Sequence, residues 1–135
     1  MNTAQVSNDS PLDPHSLDTL YGFAWMLLDN QRIVDAMNVF RVIVRFAPTD
    51  ERGWLGLGNC HELRDEDEIA AELFGAGSLA TSPPSARCLL ALSRIAQRRG
   101  DTTLHADSLD EAESRAANIG DQDLCELVAR ERSRR

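Results

Sequence analysis

The chain has 135 residues, 42% of them hydrophobic, and a formal net charge of −8. This length allows one domain with a real core but not two. The acidic balance argues against nucleic acid and against membrane as partners, because phosphate backbones and anionic lipids bind basic surfaces.

The sequence is typical of a cytoplasmic protein. No apolar run approaches the roughly 18 residues of a membrane span. The opening MNTAQVSNDS lacks the basic region and apolar core of a secretory signal. The three cysteines, Cys60, Cys88 and Cys125, are odd in number and form no CxxC pair, which favours free thiols in a reducing compartment.

Residues 1–14 are rich in Asn, Ser, Asp and Pro and show no periodicity, which predicts a mobile N-terminal arm. Residues 15–135 are predicted to form a single helical domain. Pro14 and Ser16 are typical of a helix entrance.

The first helix, predicted over about 17–28, carries two apolar stripes. One stripe falls at i, i+3, i+4 and i+7 and is expected to face the second helix: Leu20, Phe23, Ala24 and Leu27. The other consists of Tyr21, Trp25 and Leu28. A helix that is apolar on two faces is buried on both or offers one face to a partner.

The second segment, about 33–46, is apolar nearly all round and ends before Pro48, which cannot continue a helix. Its β-branched residues could also indicate a strand. Helix is favoured by its length and by a repeat, because 51–84 follows the plan of 17–50 at an offset of about 34 residues, the period of a tetratricopeptide helical hairpin. The matched pairs keep their size: Leu20 and Trp54, Phe23 and Leu57, Ala24 and Gly58, Ala36 and Ala70, Phe40 and Phe74.

The third unit, 85–118, keeps this plan in degenerate form, and a slip of one or two residues is expected in its second helix. A capping helix is predicted over about 121–133, after Gly120. The predicted class is therefore all-α: three tandem tetratricopeptide-like helical hairpins and a C-terminal capping helix. Gly56 and Gly58, which are costly inside a helix, are explained by close approach of a neighbouring helix.

The sequence offers no pattern typical of an active site, a metal site or a cofactor site. His15, His61 and His105 are scattered and lack a second ligand at helical spacing. Cys60 and Cys88 are best explained as small core residues. The acidic run 65–68 lacks calcium-loop spacing and predicts a solvated turn. We therefore expect neither an enzyme, nor a metal, nor a cofactor.

The second stripe of the first helix is the best candidate for a binding surface. In stacked helical hairpins the first helix of each pair lines the concave side. Adding the repeat offset predicts a largely apolar groove, suited to an extended peptide: Tyr21, Trp25 and Leu28, then Leu55, Asn59 and Glu62, then Leu89, Ser93 and Ala96. The alternative is that Trp25 packs under the N-terminal arm or in a dimer contact.

Several segments suggest a family: LYGFAW at 20–25, LGLGNC at 55–60, Ala36 with Val39-Phe40, Gly75-Ala76, and Gly100 with DEAE at 110–113. Over about 17–118 the chain resembles the class II chaperones of bacterial type III secretion, which look after the translocator proteins. The aromatic-rich first helix and the LGLGxC stretch are the most specific parts of this resemblance.

The resemblance implies a cytosolic, non-enzymatic chaperone that keeps a pore-forming translocator soluble and unassembled before export. It implies that an extended client segment lies in the groove, on Tyr21, Trp25, Leu28, Leu55 and Asn59. It also implies a homodimer through the N-terminal region. The chain departs from the family where Leu28 replaces a frequent aromatic and in the degenerate third unit.

Two other functional hypotheses remain open from the residues alone. One is another tetratricopeptide adaptor, such as a needle-subunit chaperone or a scaffold. Capture of a C-terminal carboxylate, a known version of that function, needs Lys or Arg beside Asn59, where this chain has Leu55 one turn earlier. The other hypothesis, that the chain is an enzyme or a metal protein, has no supporting motif.

Overall fold

The structure is a computed structural model that describes residues 12–134. Residues 1–11 and 135, and with them most of the predicted arm, lie outside the described residues. Between residues 12 and 134 the chain is helical without a strand, which confirms the all-α prediction. The helices, in chain order, are α1 Pro14–Asp29, α2 Ile33–Phe46, α3 Glu51–Leu63, α4 Asp67–Ala80, α5 Ala86–Arg98, α6 Thr102–Ile119 and α7 Gln122–Ser133.

The first helix begins at Pro14, earlier than the predicted start near Leu17. The carboxylate of Asp13 accepts a hydrogen bond from the backbone N–H of Ser16 at 2.7 Å. Asp13 is therefore the N-cap, and Pro14 takes the first helical position, where its missing N–H costs nothing. Ser16 lies inside the first turn rather than before it.

The helices stack as three hairpins, α1 with α2, α3 with α4 and α5 with α6, while α7 packs on α6 and α5. Phe40 and Phe74 occupy equivalent positions in the first two hairpins, and both are fully buried. A Cβ added to Gly56 would lie 2.1 Å from Cε1 of Phe40, and one added to Gly58 would lie 2.3 Å from Cε1 of Phe74. Close approach therefore explains both helical glycines, as predicted.

Phe23 does not pack against the second helix as expected. Its side chain is 45% exposed, whereas Leu57, its partner in the repeat, is only 5% exposed. Leu57 packs into the core of the first hairpin, with Leu27 and Phe40. The position of Phe23 is solvent-exposed because no described hairpin precedes it in the stack.

The repeat offset changes once along the chain. The C-terminal ends of α1 and α3 are 34 residues apart, as are the C-terminal ends of α2 and α4. The C-terminal ends of α3 and α5 are 35 residues apart. The extra residue lies in the loop 81–85, which is one residue longer than the loop 47–50. With the offset of 35, Leu109 takes the buried position of Phe74. The expected slip is therefore one residue, and it already applies to α5.

Candidate functional site

Three helices, α1, α3 and α5, line a groove made of two adjoining hollows of about 480 Å³ and 240 Å³. Trp25 and Asn59 line both hollows and thus stand at their junction. The larger hollow is completed by Leu28, Glu62, Leu63, Asp65, Asp67 and Arg98. The smaller is completed by Tyr21, Leu55, Arg87, Leu90, Ala91, Arg94 and Leu127.

The aromatic wall of the groove is held by the buried core. The ring of Trp25 meets the ring of Phe40 edge-on, with centroids 5.9 Å apart, and Tyr21 meets Trp25 in the same way at 6.1 Å. Such edge-to-face pairs add to the burial of the rings themselves. Since Phe40 is fully buried, the partly buried Trp25 presents a fixed apolar surface to the groove.

Arg52 braces the other side of this wall. Its guanidinium lies 5.0 Å above the ring of Tyr21, within cation–π range. It also donates hydrogen bonds to Asp18 at 2.9 Å and to Asp50 at 3.0 Å. These bonds raise the pKa of Arg52 although burial opposes the shift, so the charge over Tyr21 is permanent.

Two arginines of α5 are tied down by carboxylates from other helices. Arg98 donates to Glu62 at 2.8 Å and to Asp67 at 3.1 Å, which raises its pKa. Arg94 donates through Nε to Glu131 on α7 at 3.1 Å. The groove wall in the third hairpin is therefore built from anchored guanidinium groups as well as apolar side chains.

Six of the predicted groove residues line the two hollows together: Tyr21, Trp25, Leu28, Leu55, Asn59 and Glu62. Their part in binding a ligand stays a prediction.

The predicted residues of the third hairpin do not line the groove. Leu89 is 7% exposed and packs with α6 and α7, while Ser93 is fully buried and donates its hydroxyl to the Leu90 carbonyl at 2.7 Å. Ala96 is also buried. The offset of 35 explains this, because it places Leu89 at the position of Trp54 and Ser93 at the packed position of Gly58.

The α5 residues that do line the groove were missed: Arg87, Leu90, Ala91, Arg94 and Arg98. An offset of 35 applied to Leu55 and Asn59 leads to Leu90 and Arg94. The signal was present in the sequence, in the extra residue of the Pro83-Pro84 loop, but not in the apolar periodicity.

A further hollow of about 470 Å³ lies at the edge formed by the loops, beside the N-terminal ends of α3 and α5. Several of its polar and charged groups bind one another. Asp50 pairs with Arg52 at 3.0 Å, and Glu51 accepts the Ser85 hydroxyl at 2.6 Å. The first contact caps α3, and the second joins the second and third hairpins, so this hollow is explained as part of the architecture.

Two of the three scattered histidines have structural partners. His61 Nδ1 lies 2.8 Å from Glu66, and His105 Nδ1 lies 3.0 Å from the Ser93 carbonyl oxygen. Within residues 12–134, no group of three or more His, Cys, Asp or Glu side chains could hold a metal ion. Over the same residues, no helix has the length and apolar character needed to cross a membrane.

The fold and the groove together define a class, a stack of tetratricopeptide-like helical hairpins with an apolar and charged concave side. No protein-family model matches the chain, and no curated protein does. Solved structures do match.

The translocator chaperone SycD of Yersinia enterocolitica superimposes with a TM-score of 0.77 at 22% identity, covering 90% of this chain and 88% of SycD. PcrH of Pseudomonas aeruginosa superimposes with a TM-score of 0.74 at 20% identity, and the match covers 96% of each chain. The tetratricopeptide-like fold of these type III secretion chaperones is thus the fold of this chain.

Some of these structures contain a partner. SycD has been solved with a peptide of the translocator YopD, at a TM-score of 0.75, 22% identity, and coverage of 91% of this chain and 92% of SycD. PcrH has been solved with the chaperone-binding region of PopD and with that of PopB.

Proposed function

We propose that this chain is a non-enzymatic cytosolic chaperone that holds an extended segment of a type III secretion translocator in the groove around Trp25. One observation carries the proposal. The groove is open to solvent and has an anchored aromatic wall, on a fold shared with chaperones that have been solved with translocator peptides.

The geometry of the groove suits such a client. An extended segment exposes side chains alternately, so that some enter apolar hollows while others face solvent. Trp25, Leu28 and Leu55 supply apolar contacts, and the amide of Asn59 can hydrogen-bond a client backbone at the junction of the hollows. Binding the unassembled client lowers the concentration available for aggregation by mass action.

The proposal is tested by co-expressing the chain with a hydrophobic protein encoded beside its gene and measuring co-purification. A soluble complex is expected. Trp25→Ala with Tyr21→Ala should reduce the recovered client at least tenfold. Because both rings also pack on Phe40, a second variant, Asn59→Trp, fills the junction of the hollows without removing a core contact.

Phe46→Ala is the matched control, since Phe46 is an exposed aromatic outside both hollows. It should leave the complex intact. Undiminished recovery with Asn59→Trp, from protein that unfolds at the wild-type temperature, would show that the client binds elsewhere.

We also propose that the N-terminal region forms a homodimer. Phe23 and Met26 lie one turn apart on α1 and are each nearly half exposed, outside the groove. SycD has been crystallised in a form described as an alternative dimer. Light scattering on the full chain should give twice the chain mass, and Phe23→Glu with Met26→Glu should give the single chain mass. An unchanged mass would place the contact elsewhere.

A further inference from the structure

We propose, resting on the function proposed above, that the groove is polarised by charge. It selects client segments whose apolar centre is flanked by a basic residue at one end and an acidic residue at the other. The apolar centre lies against Trp25 and Leu55, the basic end lies in the larger hollow and the acidic end in the smaller one.

The larger hollow is acidic. Among the residues that line it, the carboxylates of Glu62, Asp65 and Asp67 stand against the single guanidinium of Arg98, which leaves a net charge of −2. Glu62 and Asp67 share that one guanidinium, and their side chains are only partly exposed. A client Lys or Arg entering here meets carboxylates, and its cation can rest on the face of Trp25.

The smaller hollow has the opposite sign. Its lining residues include the guanidiniums of Arg87 and Arg94 and no carboxylate. The carboxylates that pair with these arginines do not line this hollow. Glu131 is 2% exposed beneath Arg94, while Glu51 lies 3.6 Å from Arg87 and lines the separate loop-edge hollow.

The larger hollow remains more negative than the smaller one when those partner carboxylates are counted. Counting Glu51 and Glu131 makes the smaller half neutral, and the larger half remains at −2. The field along the groove therefore keeps the same direction. Arg87 and Arg94 are each about two-fifths exposed, so a client carboxylate can reach both.

The test begins with selection from a library of random peptides of about 12 residues on the immobilised full chain, with Trp25→Ala as the counter-selection. The selected peptides should carry opposite charges at their two ends around an apolar centre. The strongest binder is then resynthesised with both ends basic, and again with both ends acidic. Each should bind roughly tenfold more weakly than the bipolar peptide at low salt, and added salt should narrow the gap.

Two substitutions divide the effect between the ends. Asp65→Asn should weaken binding of the bipolar peptide and of the peptide with two basic ends, and Asn tolerates the positive φ of 61° found at Asp65. Arg87→Gln should weaken binding of the bipolar peptide and of the peptide with two acidic ends. Glu51 keeps the Ser85 hydroxyl as a partner in that variant. Asp107→Asn removes the same charge as Asp65→Asn at an exposed position outside both hollows, and it should not change the binding of any of these peptides.

The outcomes separate the two proposals. If no peptide is selected, or if the selected peptides bind the Trp25→Ala variant equally well, the groove function fails and this inference fails with it. If selected peptides need Trp25 but their ends show no charge preference, the groove function stands and the polarity is wrong. A charge preference lost equally with Asp107→Asn would reflect overall charge and would also overturn the polarity.

Discussion

The ring of Phe40 lies where a side chain at Gly56 would have to be, with Cε1 only 2.1 Å from an added Cβ. Phe40 is fully buried and also supports Trp25 and Tyr21 edge-on. Gly56→Ala should therefore lower the free energy of unfolding by about 2 kcal/mol, since overpacking exceeds the helix-propensity gain. Urea unfolding followed by circular dichroism measures this.

Gly22 provides the control for this prediction. It lies inside α1, and an added Cβ there meets nothing within 4 Å. Gly22→Ala should raise the free energy of unfolding by up to about 1 kcal/mol. Equal effects of the two substitutions would contradict the packing explanation of Gly56.

The pair of Arg94 and Glu131 joins the groove wall to the last helix. Glu131 is 2% exposed, its Oε1 accepts from Arg94, and its Oε2 is buried without a hydrogen bond. Arg94→Met should cost about 2–3 kcal/mol of stability, because it leaves a buried carboxylate without its main partner. Adding Glu131→Leu should restore most of that loss. If the double variant were no more stable than Arg94→Met, the buried charge would not be the cause.

The carboxylate of Asp50 predicts a dependence of stability on pH. Burial alone would raise its pKa, but hydrogen bonds from the side chain and backbone of Arg52 outweigh burial and lower the pKa below 3.8. Its stabilisation is therefore present above the pKa of the unfolded chain and is lost as the pH falls through the folded value. Asp50→Asn, which keeps a good N-cap, should cost about 1 kcal/mol at pH 6.

The cost of Asp50→Asn should shrink towards zero in acid, where wild-type Asp50 is protonated as well. Thermal or urea unfolding of both proteins between pH 6 and pH 2.5 measures the difference. A cost that stayed constant over this range would mean that the charge of Asp50 does not contribute.

The cysteines should differ in reactivity. Burial raises the pKa of the Cys60 and Cys88 thiols to about 11 in each case, so both are protonated and shielded at pH 8. Cys125 is only half-buried. An aromatic disulfide reagent at pH 8 should therefore modify one thiol quickly in the native protein and all three in denaturant. Cys125→Ser should remove the fast reaction, and persistence of that reaction would show that Cys60 or Cys88 is accessible.

Most of the fold was predictable because size and spacing survive from one hairpin to the next. Ala36 and Ala70 are both fully buried, as are Phe40 and Phe74, since each occupies the same space between the helices of its hairpin. Phe23 broke the pattern because burial at that position needs a preceding hairpin. A repeat comparison carries no information about which unit stands at the end of the stack.

The candidate groove was predictable only through its first two hairpins. Apolar periodicity identified Trp25 and Leu55, but the same offset carried into α5 led to Leu89 and Ser93, which are buried. The added loop residue has no effect on the pattern within α5, so periodicity could not reveal it. Arg94 could not be predicted for a second reason, because a charged side chain does not belong to an apolar stripe.

The five-residue loop before α5 takes up its extra residue without turning the helix that follows. Leu55 and Leu90 each lie four residues after the first residue of their helix, and both line the groove, although the loop before α5 is one residue longer than the loop before α3. The face of a helix that lines the groove is therefore set by the packing of that helix in the stack and not by the length of the loop before it. Relatives should be aligned at the first residue of each helix, rather than at a fixed repeat offset, before their groove residues are compared.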